Sequence, residues 1–143
     1  MKIAIGSDHG GFQLKQEVIK YLQANNIEYK DYGTYSEESC HYPVFAKSVA
    51  HSVVKGECDR GILICGTGIG ISIAANKVKG IRASLCSDTY SAKMTRKHNN
   101  SNILCMGQRV IGVGLALDIV EIWLNTDFEG GRHQIRIDML EEN

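Results

Sequence analysis

The chain has 143 residues, of which 43% are hydrophobic and 22% charged, a size and composition typical of one globular domain. Sixteen basic residues balance sixteen acidic ones, and the basic residues form no run. Nucleic acids and anionic membranes are bound by concentrated positive charge, so neither is expected as a partner. We predict a single domain over residues 1–143.

The N-terminal sequence and the cysteines indicate the cellular compartment of the protein. The N-terminal MKIAIGSDHGG lacks the long apolar core of a signal peptide, and no apolar run reaches transmembrane length. The five cysteines are odd in number, scattered, and form no C-x-x-C pair. This pattern is typical of reduced cytoplasmic thiols rather than of a disulfide framework. Because no Cys/His cluster has the spacing of zinc ligands, we also expect no bound metal.

Short apolar segments followed by helical patterns predict alternating strands and helices. In chain order, the predicted strands cover residues 2–8, 27–33, 61–65, 81–88 and 102–107. The first helix places Leu14, Val18 and Leu22 on one face, and the second begins near Pro43. Helical patterns also follow the last three strands. The terminal GGRHQIRIDMLEEN predicts a short extra helix or arm.

This alternation predicts an α/β fold: a three-layer α/β/α sandwich with a five-stranded, mostly parallel, Rossmann-like sheet and a C-terminal helical arm. In such sheets, ligands bind beyond the carboxyl ends of the strands. The predicted strand ends carry Ser7-Asp8-His9, Cys65-Gly66-Thr67, Ser87-Asp88 and Gly107-Gln108-Arg109. Reactive side chains therefore collect where this fold presents a ligand site.

A glycine-rich turn, Gly66-Thr67-Gly68-Ile69-Gly70, follows Cys65 directly. Ile71 stands where a dinucleotide fingerprint needs glycine and where a C-x5-R phosphatase needs arginine. No Lys-Ser/Thr pair follows, which excludes a P-loop. The N–H groups of such a turn can stabilise an anion or a developing oxyanion, but the pattern fits a simple tight turn equally well.

Local sequence leaves the role of Cys65 open. It fits a small buried residue that closes a strand, the common state of a free cysteine. It also fits a thiolate whose pKa is lowered by the N-terminus of the following helix. His9 follows Asp8 at a strand end, where side chains are exposed and often functional. His98 ends a helix in RKHNN, which fits either a dipole-stabilised cation or a functional group.

Arg132 and Arg136 are four residues apart and would share one helix face. Like charges at this spacing destabilise an isolated helix by roughly 0.2–0.5 kcal/mol. An anion held between the two guanidinium groups would reverse that effect, because their geometry matches phosphate. A solvated helix face is the alternative interpretation.

Five segments together resemble the ribose-5-phosphate isomerase B family, which also includes galactose-6-phosphate and allose-6-phosphate isomerases. The segments are GSDHGG (6–11), CGTGIGISIAANK (65–77), RKHNNSN (96–102), GQRVIG (107–112) and FEGGRHQIR (128–136). The resemblance covers essentially the whole chain in order. It implies an aldose–ketose isomerase that needs neither metal nor cofactor and works through an enediolate.

The resemblance also implies residue roles. Cys65 would be the base that moves a proton between C1 and C2, with Thr67 assisting and the turn amides stabilising the enediolate oxygen. His98 would open the furanose ring with help from Asp8. The implied substrate-binding positions are Asp8, His9, Tyr42, Gly66, Thr67, Gly68, Ile69, Gly70, Asn99, Arg109, Arg132 and Arg136. In the family the site lies between subunits, so the arginines would serve a neighbour's pocket.

The expected reaction is the interconversion of ribose 5-phosphate and ribulose 5-phosphate by a homodimer or homotetramer, which the apolar helix VGLALDIVEIWL also favours. A six-carbon substrate, allose 6-phosphate or galactose 6-phosphate, is the first alternative. A non-catalytic sugar-phosphate-binding module is the second, and a redox role for Cys65 the third. One departure stands out: the family commonly has an acidic residue before Tyr-Pro, where this chain has His41.

Overall fold

The computed structural model describes residues 1–142 and contains one five-stranded sheet. The strands are β1 (Lys2–Ser7), β2 (Glu28–Asp31), β3 (Arg60–Cys65), β4 (Ala83–Leu85) and β5 (Ile103–Gly107). They lie in the order β2-β1-β3-β5-β4, and every pair is parallel. Across the described residues the sheet is therefore fully parallel, where the sequence predicted a mostly parallel one.

Within residues 1–142, six helices surround the sheet. They are α1 (Phe12–Ala24), α2 (Tyr42–Val54), α3 (Ile69–Asn76), α4 (Thr89–Asn99), α5 (Val113–Asn125) and α6 (Arg132–Leu140), and a 3-10 turn (His9–Gly11) joins β1 to α1. Asp88 caps α4, because its Oδ1 accepts a hydrogen bond from Ser91 N at 2.6 Å. Pro43 lies in the first turn of α2, where its missing N–H has no cost.

Alternating residues of the central strands face two separate cores. Ile62 and Ile64 of β3 pack into the core covered by α1, α4 and α5, whereas Leu63 and Cys65 pack into the one covered by α2 and α3. Such continuous apolar strands are expected of a parallel sheet covered on both faces. The predicted three-layer sandwich is confirmed, and Cys65 points toward the α2/α3 layer.

Both edge strands are shorter than predicted. β2 was expected over 27–33 and β4 over 81–88, but they pair only over Glu28–Asp31 and Ala83–Leu85. An edge strand has a neighbour on one side only, so its pairing ends where the chain turns away from that neighbour. Cys86 therefore follows β4, although its N–H still donates to Cys105 O at 3.1 Å.

Many of the apolar side chains of α5 are buried within the chain itself. Its residues Ala116, Ile119, Val120, Trp123 and Leu124 are buried in the core shared with α1 and α4. Trp123 also donates from Nε1 to Ser101 Oγ at 2.9 Å. Val113 and Leu115, near the start of the helix, remain exposed. The dimer that this apolar sequence favours stays a prediction.

Among residues 1–142, the structure has no helix that combines the length and the apolar character needed to cross a membrane.

Candidate active site

Cys65 ends β3, and its sulfur faces the glycine-rich turn. The side chain is buried, and Gly68 N donates a hydrogen bond to Cys65 Sγ at 3.1 Å. Thr67, exposed beside it, accepts from Ile69 N through Oγ1 at 3.2 Å. A backbone N–H aimed at a sulfur stabilises negative charge on that atom. The turn amide thus places the Cys65 sulfur where it could act as a proton acceptor.

Gly68 is required by the geometry of this turn, and Gly70 is in close contact with a neighbouring side chain. Gly68 has φ +79°, and a methyl group on it would lie 2.8 Å from the carbonyl carbon of Met106. A methyl group on Gly70 would lie 2.7 Å from Cζ of Tyr42, the first residue of α2. Tyr42 therefore lies directly on the turn.

Asp8 and His9 follow β1, next to β3 in the sheet. Asp8 N donates to Ile64 O at 3.3 Å, but the buried Asp8 Oδ1 makes no hydrogen bond within residues 1–142. A buried acceptor without a donor is costly, so this oxygen is suited to receive one from a ligand. His9 Nδ1 accepts from Cys40 N at 3.2 Å, which places the proton of the neutral ring on Nε2.

Arg109 closes the site from the β5 side. Its N–H donates to Gly66 O at 3.0 Å, and Gln108 N donates to Cys65 O at 3.0 Å. A methyl group on Gly66 would lie 3.4 Å from Arg109 Nη1, so the guanidinium borders the turn. The carboxyl edge of the sheet therefore brings together Asp8, His9, Tyr42, Cys65, Gly66, Thr67, Gly68, Ile69, Gly70 and Arg109.

The remaining predicted site residues lie elsewhere. His98 and Asn99 occupy the last turn of α4, and Asn99 O accepts from Arg82 Nε at 3.0 Å, just before β4 begins. Arg132 and Arg136 are exposed on α6, which packs against α4. All four belong to the amino-terminal edge of the sheet.

The residues at the carboxyl edge and those at the amino-terminal edge are separated by the length of the central strands. Gly61 N donates to Asn102 O at 2.9 Å, which places residues 99–102 level with the start of β3. Cys65 lies four residues further along that strand, roughly 13 Å away at the rise of a parallel strand. Within one chain, Cys65 and His98 therefore lie at opposite edges of the sheet.

His98 has two close neighbours that sequence reasoning missed. Its ring stacks on that of His133, with centroids 4.3 Å apart and planes 13° from parallel. Glu129 Oε1 lies 3.6 Å from His98 Nε2 and 3.9 Å from His133 Nε2. The only sequence signal was the Glu-x-x-x-His spacing of Glu129 and His133, since the approach of both to His98 is a long-range contact.

Partial desolvation lowers the pKa of His133, and the nearby His98 and Arg132 lower it further, against the opposing effect of Glu129. Elsewhere, burial raises the pKa of Cys86 to about 12, with a further contribution from the charge of Asp88.

The structure is thus an α/β fold that places a buried thiol and a glycine-rich turn at the carboxyl edge of a parallel sheet, where such folds bind ligands. The family model described as Ribose/Galactose Isomerase matches residues 3–140, and the chain belongs to this family. It is an aldose–ketose isomerase, as the sequence resemblance indicated.

The chain is 53% identical to ribose-5-phosphate isomerase B of Escherichia coli over 139 residues, 97% of this chain and 93% of the relative. It is 47% identical to a D-erythrulose-4-phosphate isomerase of Pectobacterium atrosepticum over 132 residues, 92% and 87% of the two chains. The solved ribose-5-phosphate isomerase B of Clostridium thermocellum superimposes with a TM-score of 0.99 at 56% identity, covering 99% of this chain and 96% of that one.

Proposed function

We propose that this enzyme interconverts ribose 5-phosphate and ribulose 5-phosphate, with Cys65 as the base at the reacting carbons. The observation that carries the proposal is the hydrogen bond from Gly68 N to Cys65 Sγ, 3.1 Å long, at the mouth of the glycine-rich turn. A sulfur held by a backbone amide, beside further amides, supplies both a proton acceptor and a site for the charge that results. The similarity to the E. coli enzyme supports this substrate.

In the proposed mechanism the Cys65 thiolate removes the proton from C2 of the open-chain aldose. The bond electrons form an enediolate, whose oxygen the turn amides stabilise. The same thiol then returns the proton to C1, while Thr67 helps to move a proton between the two oxygens. The unpartnered Asp8 Oδ1 accepts a hydrogen bond from a sugar hydroxyl.

Ring opening requires His98, which lies at the opposite edge of the sheet from Cys65. We infer that a second copy of the chain supplies His98, Asn99, Arg132 and Arg136 to this site. The arginines would bind the phosphate, whose binding energy orients the reacting carbons. Under this arrangement the isomerase is a homodimer or a larger assembly with its sites between subunits.

Exposed apolar side chains beside Cys65 support such an interface. Ile69 and Ile73 lie one turn apart on α3, and Leu85 borders Gly68 at the end of β4. Tyr90 and Val110, at the same edge, are also exposed. Apolar surface of this kind marks a protein contact when it rims a ligand site.

The length of the sugar is a separate question, because the D-erythrulose-4-phosphate isomerase resembles this chain at 47% identity. A four-carbon substrate is therefore a second candidate, beside the six-carbon phosphates of allose and galactose. Comparing kcat/KM on ribose 5-phosphate, D-erythrulose 4-phosphate, allose 6-phosphate and galactose 6-phosphate decides between them. The proposal expects the highest value on ribose 5-phosphate.

Cys65→Ala tests the catalytic role. Removal of a general base lowers kcat roughly 10²- to 10⁴-fold, and substrate binding should persist because the turn and the arginines are intact. The matched control is Cys58→Ala, another buried cysteine, which precedes the other end of β3. Turnover of Cys65→Ala near that of Cys58→Ala would contradict the proposal and favour a non-catalytic sugar-phosphate-binding module.

We also propose that residues 1–143 form one isomerase domain located in the cytoplasm. The family match over residues 3–140 supports the first point. The five free cysteines support the second, because thiols persist in reducing compartments.

A further inference from the structure

The C-terminal end of α4, the loop after α5 and the start of α6 converge on three side chains with metal-binding atoms. His98, Glu129 and His133 each offer one such atom, and these atoms all lie within 4.8 Å of one another. We call these residues the His98–Glu129–His133 cluster. Two imidazoles and one carboxylate form a complete set of three protein ligands for a divalent transition metal.

A backbone hydrogen bond helps to position the cluster. Glu129 N donates to Lys97 O at 3.1 Å, which fixes the loop against the last turn of α4. His133 is only 6% exposed, yet its Nε2 lies 3.9 Å from Glu129 Oε1, beyond hydrogen-bonding distance. A histidine more than nine-tenths buried, with this nitrogen aimed at a carboxylate that it does not reach, is suited to a ligand between the two.

Two of the three distances between the ligand atoms are close to those of a tetrahedral zinc site. Ligand atoms 2.0–2.1 Å from a tetrahedral zinc ion lie about 3.4 Å from one another. Glu129 Oε1 lies 3.6 Å from His98 Nε2 and 3.9 Å from His133 Nε2. Shifts of a few tenths of an ångström close these two edges. The third edge, between the two imidazole nitrogens, is at most 4.8 Å long and must shorten as well. Because the half-exposed His98 ring is stacked on His133, it has to leave that stack before both nitrogens can face one ion.

The charges around the cluster act on a bound cation in opposite directions. The exposed Arg132 and Arg136 on the same helix as His133 oppose a cation, whereas the carboxylate of Glu129 offsets one positive charge. The expected affinity is therefore moderate.

We propose that the His98–Glu129–His133 cluster reversibly binds one borderline divalent transition metal, such as Zn²⁺ or Co²⁺, and that this metal inhibits the enzyme. The inhibition rests on the proposed function, because a metal on His98 Nε2 occupies the lone pair that ring opening needs. The ion is thus an inhibitory ligand, and the isomerase reaction itself still uses none.

Calorimetric titration of the metal-free assembled enzyme with Zn²⁺ tests the site without reference to activity. We expect one ion per chain and at least tenfold weaker binding in both Glu129→Gln and His133→Gln. Glu129 is half-exposed, so Glu129→Gln reports on the site even if His133→Gln fails to fold. The matched control is His51→Gln, an exposed histidine on α2, which should bind zinc like the wild type.

Titration with Co²⁺ distinguishes metal binding at the cluster from metal binding at the cysteines. Co²⁺ bound by imidazoles and a carboxylate shows visible d–d absorption without a thiolate-to-metal charge-transfer band. A thiolate band, or undiminished zinc binding in both cluster variants, would overturn the site.

The inhibition is measured as the ratio of isomerase rates with and without Zn²⁺ in each protein. We expect wild type and His51→Gln to lose most of their rate and to regain it with a chelator, and Glu129→Gln to lose several-fold less. Equal inhibition of Glu129→Gln would overturn the inhibitory role. If the protein shows no isomerase activity at all, the proposed function fails while calorimetry still decides the site.

Discussion

Cys65 differs from the neighbouring buried cysteines in what surrounds its sulfur. Cys65 Sγ accepts a hydrogen bond from Gly68 N. Burial raises the pKa of Cys105 well above its usual range, with added effects of the neighbouring cysteines, and raises the pKa of Cys86 to about 12. Burial does not distinguish these thiols, since all three are buried, whereas the turn that follows Cys65 does.

Thiol alkylation at pH 8 should therefore spare Cys86 and Cys105 in the native enzyme. A thiol whose pKa is about 12 is a thiolate in only about one molecule in ten thousand at pH 8, and the fraction rises tenfold with each pH unit. The half-buried Cys40 serves as the internal reference. Peptide mapping after iodoacetamide treatment should show Cys40 modified at least ten times faster than Cys86. Equal rates would contradict the assigned environments.

His41 is the N-cap of α2, and its side chain makes no capping hydrogen bond. His41→Asp introduces the residue type that caps helices well, so the free energy of unfolding should rise by about 1 kcal/mol in urea titrations.

Because Tyr42 lies on the glycine turn, the same change should alter the ratio of kcat/KM on five- and six-carbon sugar phosphates. His51→Asp, at the other end of α2, is the control. Unchanged ratios would remove the idea that position 41 affects substrate choice.

At the scale of elements, Lys15 ties α1 to β2 and to the loop after it. The side chain is fully buried, and its Nζ donates to Asp31 Oδ1 at 2.7 Å and to Thr34 O at 2.5 Å. A buried charge is tolerated only when such partners are present, because they replace lost hydration. This contact holds the segment after β2 beside the end of β1, which Asp8 follows.

Lys15→Met should lower the free energy of unfolding by about 2–4 kcal/mol, because it leaves Asp31 and Thr34 O without their partner. Asp31 keeps some solvent and a hydrogen bond from Gly33 N at 2.9 Å, which moderates the loss. Lys20→Met on the same helix is the control: its pair with Glu17 is exposed, so the change should stay within about 0.5 kcal/mol. Equal urea midpoints for the two variants would refute the role of Lys15.

The sequence predicted the elements better than their long-range contacts. Leu14, Val18 and Leu22 are buried as their spacing predicted, because helix periodicity is a local property. The edge strand β4 was overextended, since its length depends on its pairing with β5. The stacking of His98 on His133 arises from the packing of α6 on α4, which no local pattern encodes.

At the scale of the whole molecule, parallel topology decides where the predicted site residues lie. A helix that follows a parallel strand runs back toward the strand's beginning, so His98, at the end of α4, lies at the opposite edge from Cys65. Sequence similarity named both residues but not their separation. Because of this separation, a site that uses both residues needs two copies of the chain.

Mixing two inactive variants, Cys65→Ala and His98→Ala, tests this account most directly. If each site combines Cys65 of one copy with His98 of another, a mixed dimer has one intact site and one doubly mutated site. After subunit exchange at equal amounts, half of the dimers are mixed, so isomerase activity should recover to about one quarter of wild type. Activity that remains at the level of the separate variants, although mixed dimers form, would contradict a site shared between chains.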